Sequence, residues 1–347
     1  MANLADTYHH IAHILSFETQ NNILEKRLNR PGFNWDSIVK EASKHLVLPA
    51  IYCRLKARKL LHVLPDDLNT YLEEITTINR NRNRSIIKQV HTLSKLLNKH
   101  SIEHVFLKGA ALLVTGCYDD NGERMVGDID ILIEKSSLNH AFALIKESGY
   151  DETFGFAYEK INYRHLDRLI SSKELAAIEL HEELLNIPYR SLLNAKTVLN
   201  NKILLDGVAI PSSLHLNKHQ ILSWQVNDKG YYYNGVHFKS LYDVISLKTY
   251  KHEVMMSRLC QSKTCQAYFE IANIYFNEFI LDSLNEGVSI RGLSHKITMK
   301  YRWLRVVVRC LKSSFLFIST RIYLIKSNKN YRKHLYCKIF LQDKRRI

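Results

Sequence analysis

Glycine and proline are scarce in this 347-residue sequence, with 12 Gly and 5 Pro, so long flexible linkers and low-complexity segments are not expected. No stretch of 18 residues is free of charge, which argues against a membrane-spanning segment. The six cysteines (Cys53, Cys117, Cys260, Cys265, Cys310 and Cys337) include no C-x-x-C pair. Neither a zinc site nor a disulfide framework is therefore expected, and they read as reduced, mostly buried thiols of a cytosolic protein. The opening MANLADTYHHIAHILSFETQ lacks a basic stretch followed by an apolar core and a small-residue cleavage site. That argues against secretion and for a cytoplasmic location. Acidic residues are missing from one region in particular. From Arg291 onward 16 Lys/Arg face a single acid, Asp343, leaving 33 Lys/Arg and 33 Asp/Glu in the first 290 residues. The whole net charge of +15 thus lies in a basic tail on a neutral body.

What is present is ordinary for a globular chain: 46% hydrophobic and 24% charged residues, over a length that can hold two domains. The first hundred residues read as helical. Trp35, Ile38, Val39, Ala42 and Leu46 recur at helical spacing after a candidate N-cap, Asn34, and a long helix is expected after Pro65. Its middle, NRNRNRS from Asn79 to Ser85, is polar all round; it reads as a solvated stretch, or as side chains facing a phosphate-binding cleft. After His100 the pattern changes to short β-rich runs (SIEHVF, VGDIDILIE, LAAIELHEE, KILLDGVAI) alternating with helical ones (AALLVTG, LNHAFALIKESG). The expectation is an α+β fold, one small mixed sheet with flanking helices. A helical N-terminal region would span 1–99, the core 100–210, a helical C-terminal lobe 211–290, and the basic amphipathic tail 291–347. In the lobe, LYDVISLKTYKHEVMM is the clearest helical run.

Within VGDIDILIE, period-two alternation places Asp128 and Asp130 on one strand face and Ile129, Ile131 and Ile133 on the other. Adjacent carboxylates repel, and a divalent cation resolves the conflict; hard oxygen ligands suit magnesium or manganese. A third carboxylate is expected from Glu179, which shares a strand face with His181 in Ile178-Glu179-Leu180-His181, although an exposed strand face fits that segment as well. Lys108-Gly109 stands where the first strand gives way to a helix, a place where backbone can approach phosphate closely. Alone, the pair reads more readily as a turn glycine beside a surface lysine. Arg124 is either a bidentate triphosphate clamp or a surface arginine.

The run FLKGAALLVTGCYDDNGERMVGDIDILIEK, from Phe106 to Lys135, resembles the signature of the uncharacterised nucleotidyltransferase family of the DNA polymerase β-like superfamily. Trp35-Asp36, Arg164-His165-Leu166, Ile178 to His181, and Trp224 to Leu247 are similar to further parts of that pattern. The likeness covers roughly residues 30 to 250 and is specific between 106 and 135. Two positions depart from it: Ala110 stands after Gly109 where serine or glycine is usual, and Glu182 follows His181 where an aromatic is usual.

The resemblance implies a nucleotidyltransferase sheet and a two-metal reaction. Asp128, Asp130 and Glu179 would be catalytic and hold Mg2+ (or Mn2+), while Lys108, Gly109 and Arg124 would bind the nucleotide. A nucleoside monophosphate would pass from an NTP substrate, ATP among them, to an acceptor hydroxyl with release of pyrophosphate. The implied acceptor is RNA such as tRNA, a protein or a small molecule. The alternative is a non-catalytic nucleotide- or RNA-binding protein on the same fold. The basic tail is expected to grip RNA, to lie on an anionic membrane surface, or to cap the lobe.

Overall fold

The structure, a computed structural model, describes residues 3–155, 158, 163–279 and 289–340. The end of the expected C-terminal lobe (280–288) and the last seven residues of the basic tail, Asp343 among them, lie outside the described residues.

Four helices open the chain: α1 (Leu4–Leu15), α2 (Asn21–Leu28), α3 (Trp35–Lys44) and α4 (Leu48–Ala57). Asn34 caps α3 as expected, its side chain accepting from the Ser37 amide. α5 (Asp66–Lys99) follows Pro65 and runs 34 residues, about 51 Å at 1.5 Å per residue. Its buried side is an unbroken stripe of Leu72, Thr76, Asn79, Asn83, Ile86, Val90, Leu93 and Leu97, at alternating steps of four and three.

The sheet-forming part contains β1 (His104–Phe106), α6 (Lys108–Thr115), β2 (Asp128–Ile133), α7 (Leu138–Glu147), β3 (Glu152–Phe154), β4 (Arg168–Ile170) and β5 (Ala177–His181). α6 ends at Gly116, whose φ of 64° provides the left-handed turn that stops it. The five strands order β1-β2-β5-β4-β3. β2 and β5 are parallel, and the other neighbouring pairs are antiparallel. β3 and β4 had no counterpart among the expected strands. The KILLDGVAI segment pairs with itself instead of extending this sheet: after α8 (Ala195–Asn200), β6 (Lys202–Leu205) and β7 (Val208–Pro211) form a separate hairpin. Asp206 and Gly207, both at positive φ, make its two-residue turn.

The rest is helical: α9 (Ser213–Leu222), α10 (Gly230–Tyr233), α11 (Phe238–Ser246), α12 (Glu253–Cys260), α13 (Lys263–Ala272), α14 (Ile290–Lys300), α15 (Arg302–Ser327) and α16 (Lys329–Phe340). The run LYDVISLKTYKHEVMM is two helices, broken where Lys248 adopts a left-handed φ of 54°. One cluster of buried apolar side chains extends from Ile11 to Phe279, so the N-terminal helices, the sheet and α9–α13 share a core. The chain's charge asymmetry has its structural counterpart in α15, none of whose residues is buried.

Candidate active site

The register of β2 against β5 places Asp130 opposite Glu179, Leu132 opposite His181 and Asp128 opposite Ala177. Side chains alternate along a strand, so Asp128, Asp130, Glu179 and His181 share one face. Ile129, Ile131, Ile178 and Leu180 fill the other, each fully buried. That apolar underside fixes the register, because a slip of one residue would turn the isoleucines into the site and the carboxylates into the core.

The polar face is closely paired. Asp130, only 2% exposed, accepts through Oδ1 from Lys108 Nζ at 2.5 Å and lies 2.7 Å from His181 Nε2. Burial alone would raise its pKa, but Lys108 and His181 more than offset that and hold the carboxyl well below the usual range. Glu179 behaves alike: burial raises it, while the nearby His181 and the Arg168 hydrogen bond outweigh burial and take it down to about 2. Asp128 goes the other way, raised by burial and by the charge of Asp130. Arg168, from β4, joins the two halves, with Nη2 2.6 Å from Glu179 Oε1 and 3.0 Å from Asp128 Oδ2.

Asp130, Glu179 and His181 each bring a ligand atom within 4.8 Å of the others. The His181 Nδ1 is buried with no hydrogen-bond partner. Two carboxylates and an imidazole suit a divalent cation, and the nitrogen favours manganese over magnesium. The donor set therefore fits the implied ion. The closest cluster differs from the expected trio, since His181 stands in it and Asp128 is reached through Arg168.

Lys108 opens α6 on the same side as the carboxylates, with a left-handed φ of 47° that is uncommon for a lysine. Gly109 has a steric reason to be glycine: a Cβ there would lie 3.0 Å from Val126 Cγ2, just before Gly127-Asp128. Arg124 sits apart from this group. It is 7% exposed, and its Nε donates to Asp243 Oδ1 of α11 at 2.7 Å, where the Tyr118 hydroxyl also donates.

Sequence reasoning missed several residues. Arg168 lies on a three-residue strand too short to show alternation. His165 bridges back to His181 across the sheet, its Nε2 3.8 Å from Glu179 Oε2. Lys239, at the start of α11, is pushed down to about 8 by burial and the neighbouring Arg124, with Asp128 and Asp228 among its attractive neighbours. The NRNRNRS stretch is split: Asn81, Arg84 and Ser85 are exposed, as in a solvated stretch, while Asn79 and Asn83 are buried and turned to backbone, not to the carboxylates. Asn79 donates to the carbonyls of Gly122 and Arg124 at 2.7 and 3.1 Å, and Asn83 to those of Asn121 and Arg124 at 2.5 and 2.7 Å. Arg80 pairs with Asp120, and Arg82 donates to the carbonyls of Val126 and Gly127. These side chains satisfy the backbone of the segment that feeds Asp128 into the sheet.

Residues 31–261 match the family described as "Uncharacterised nucleotidyltransferase". Curated proteins yield no match. Among solved structures, the chain is similar to an antigenic nucleotidyltransferase-like protein from Paracoccidioides brasiliensis, at 15% identity and a TM-score of 0.32, over 53% of this chain and 93% of that one.

Proposed function

The chain belongs to the uncharacterised nucleotidyltransferase family, and from that premise we propose that it transfers a nucleoside monophosphate from an NTP to an acceptor hydroxyl. The observation that carries this reading is the pairing of Asp130 with Glu179 across β2 and β5, beside Asp128 and facing Lys108 at the start of α6. In it the acceptor oxygen bonds to the α-phosphorus, the bond to the bridging oxygen breaks, pyrophosphate leaves, and the hydroxyl proton is taken up on the carboxylate face. Divalent cations, Mg2+ or Mn2+, would be held by Asp130, Glu179 and His181 with Asp128, and when bound would neutralise phosphate charge and acidify the acceptor hydroxyl.

The chain's own groups do the positioning. Lys108 and the free amides at the start of α6, that of Gly109 among them, would hold the β- and γ-phosphates. Lys239 adds a second cation from α11, and its closeness to Asp128 supports that placement. Arg168 neutralises Asp128 and Glu179 in the ion-free protein and would yield them to a stronger cation. In the ion-free protein His181 Nε2 is paired with Asp130 Oδ1, which holds the two side by side. Arg124, bound to Asp243, would steady the loop into β2 from the lobe side, reaching a phosphate only if that pair opens.

The test is pyrophosphate release from each labelled NTP, with Mg2+, Mn2+ or EDTA, in the presence of a cell extract. Label appearing in RNA, protein or small molecules identifies the acceptor class. Metal-dependent nucleotide binding with no pyrophosphate from any NTP would replace this reading with that of a nucleotide-binding protein.

A further inference from the structure

α15 is 26 residues long and buries none of them. Trp303, Val307, Leu311, Phe315, Ile318 and Ile322 follow one another at steps of four, four, four, three and four, so they form one band, roughly 30 Å long, that winds over about a third of the helix circumference. All six are solvent-exposed, at 46–68%. The way α15 is held fixes where that stripe points. Arg305, Val308, Lys312 and Leu316 are half-buried on another side. There the Tyr232 hydroxyl donates to the Lys312 carbonyl at 3.0 Å and Lys312 Nζ donates to the Tyr232 carbonyl at 2.8 Å. The apolar stripe is thereby turned away from the body. α15 and α16 together carry ten Lys/Arg and no acidic residue, and all of these but Arg305 and Lys312 lie off the side that meets the body.

We infer that α15 lies in the interface of an anionic lipid surface, its apolar stripe at the boundary between headgroups and acyl chains and its cations on the phosphates. An unpartnered stripe of Trp, Phe, Leu, Ile and Val flanked by Lys/Arg is the composition of a helix lying in the membrane plane. Each cation near such a surface adds to the attraction. No helix among the described residues is long and apolar enough to cross a membrane, so α15 rests on the surface. The stripe's chemistry disfavours the other occupants. Nucleic acid would use the cations and stack on Trp303 and Phe315, but the other four residues of the stripe, Val307, Leu311, Ile318 and Ile322, offer its phosphates no hydrogen bond and its bases no stacking plane. A second copy would set two acid-free, cationic helices side by side, with like charges opposed.

The experiment is flotation of the full chain with phosphatidylcholine vesicles, with and without phosphatidylglycerol. Its companion is the Leu311→Asp/Phe315→Asp variant, which alters exposed positions only. The expected result is binding to the anionic vesicles alone, weakened by salt, and lost about 100-fold in the double variant. Thermal stability of the variant should be unchanged, and Trp303 emission should shift to the blue on binding, an effect absent from Trp303→Phe. Equal binding to neutral vesicles, or undiminished binding by the double variant, would overturn the assignment. So would a concentration-dependent dimer that the double variant dissolves, or retention by RNA, with no vesicle binding in either case.

Discussion

Asp128 and Asp130 share a strand face, yet their surroundings differ. Asp130 is tied to Lys108 and His181, whereas Asp128 is half-exposed, repelled by Asp130 and met by Arg168. Asp130→Asn should therefore lower the stability of the metal-free protein by about 1–3 kcal/mol, because Lys108 and His181 lose their anion. Asp128→Asn should leave it equal or raised, since a carboxylate with a raised folded pKa loses stability as pH rises through that value. Both should lose nucleotide transfer; thermal melts in EDTA beside a pyrophosphate assay check the pair. Glu179 has the opposite sign. Its pKa falls from 4.5 to about 2 on folding, so its contribution is complete above 4.5 and lost as pH falls toward 2. Stability of the wild type should fall through that window, and that of Glu179→Gln should fall less, the remainder coming from Asp130, whose carboxyl is also held low. The aspartates were legible in the sequence because Ile129, Ile131 and Ile133 reveal the strand's alternation. Arg168, 11 positions before its partner Glu179 on a strand of three, offers no pattern to read, and only the fold brings it to the carboxylates.

At the level of elements, α5 combines two jobs along one stripe. Its ends bury leucine, isoleucine and valine, while its middle turns asparagines onto the carbonyls of residues 121–124, a segment outside any helix or strand. A polar stretch at helical spacing looks solvated unless the backbone needing its donors is known, and that backbone lies some 40 residues further along. Asn83→Ala should cost about 1–3 kcal/mol, by taking the donor from the Asn121 carbonyl and one of the two donors, with Asn79 the other, from the buried Arg124 carbonyl. Asn83→Asp, equal in size but without the donor, should cost at least as much, which separates hydrogen bonding from packing in a urea titration. Both should weaken metal-dependent nucleotide binding, because Asp128 follows that segment directly. The KILLDGVAI hairpin shows a different limit. Its strand character was legible, but its partner was not: Asp206-Gly207 turns the chain back on itself before it can reach the main sheet.

At the scale of the whole molecule, the basic tail is not one unit. α14 is anchored, with His295 between the Tyr275 hydroxyl at 2.8 Å and the Asn234 carbonyl at 2.9 Å, and Met299 buried. A chain ending after Tyr301 should melt close to the full-length protein, whereas one ending before α14 should melt clearly lower; calorimetry of the two truncations decides. Charge counting had set the whole tail apart, since composition does not reveal which cationic helix also has a buried side. The parallel pairing of β2 with β5 has a kinetic consequence as well. Asp130 and Glu179 are 49 positions apart, and the chain must lay down α7, β3 and β4 before the two strands can align. Such distant pairing is a late and slow event in folding. A chain still searching for that alignment presents no site for a divalent ion, so an ion bound there would stabilise only the finished protein, in proportion to RT ln(1 + [ion]/Kd). Added Mn2+ should therefore slow unfolding while leaving the refolding rate unchanged, as expected for an interaction absent from the transition state.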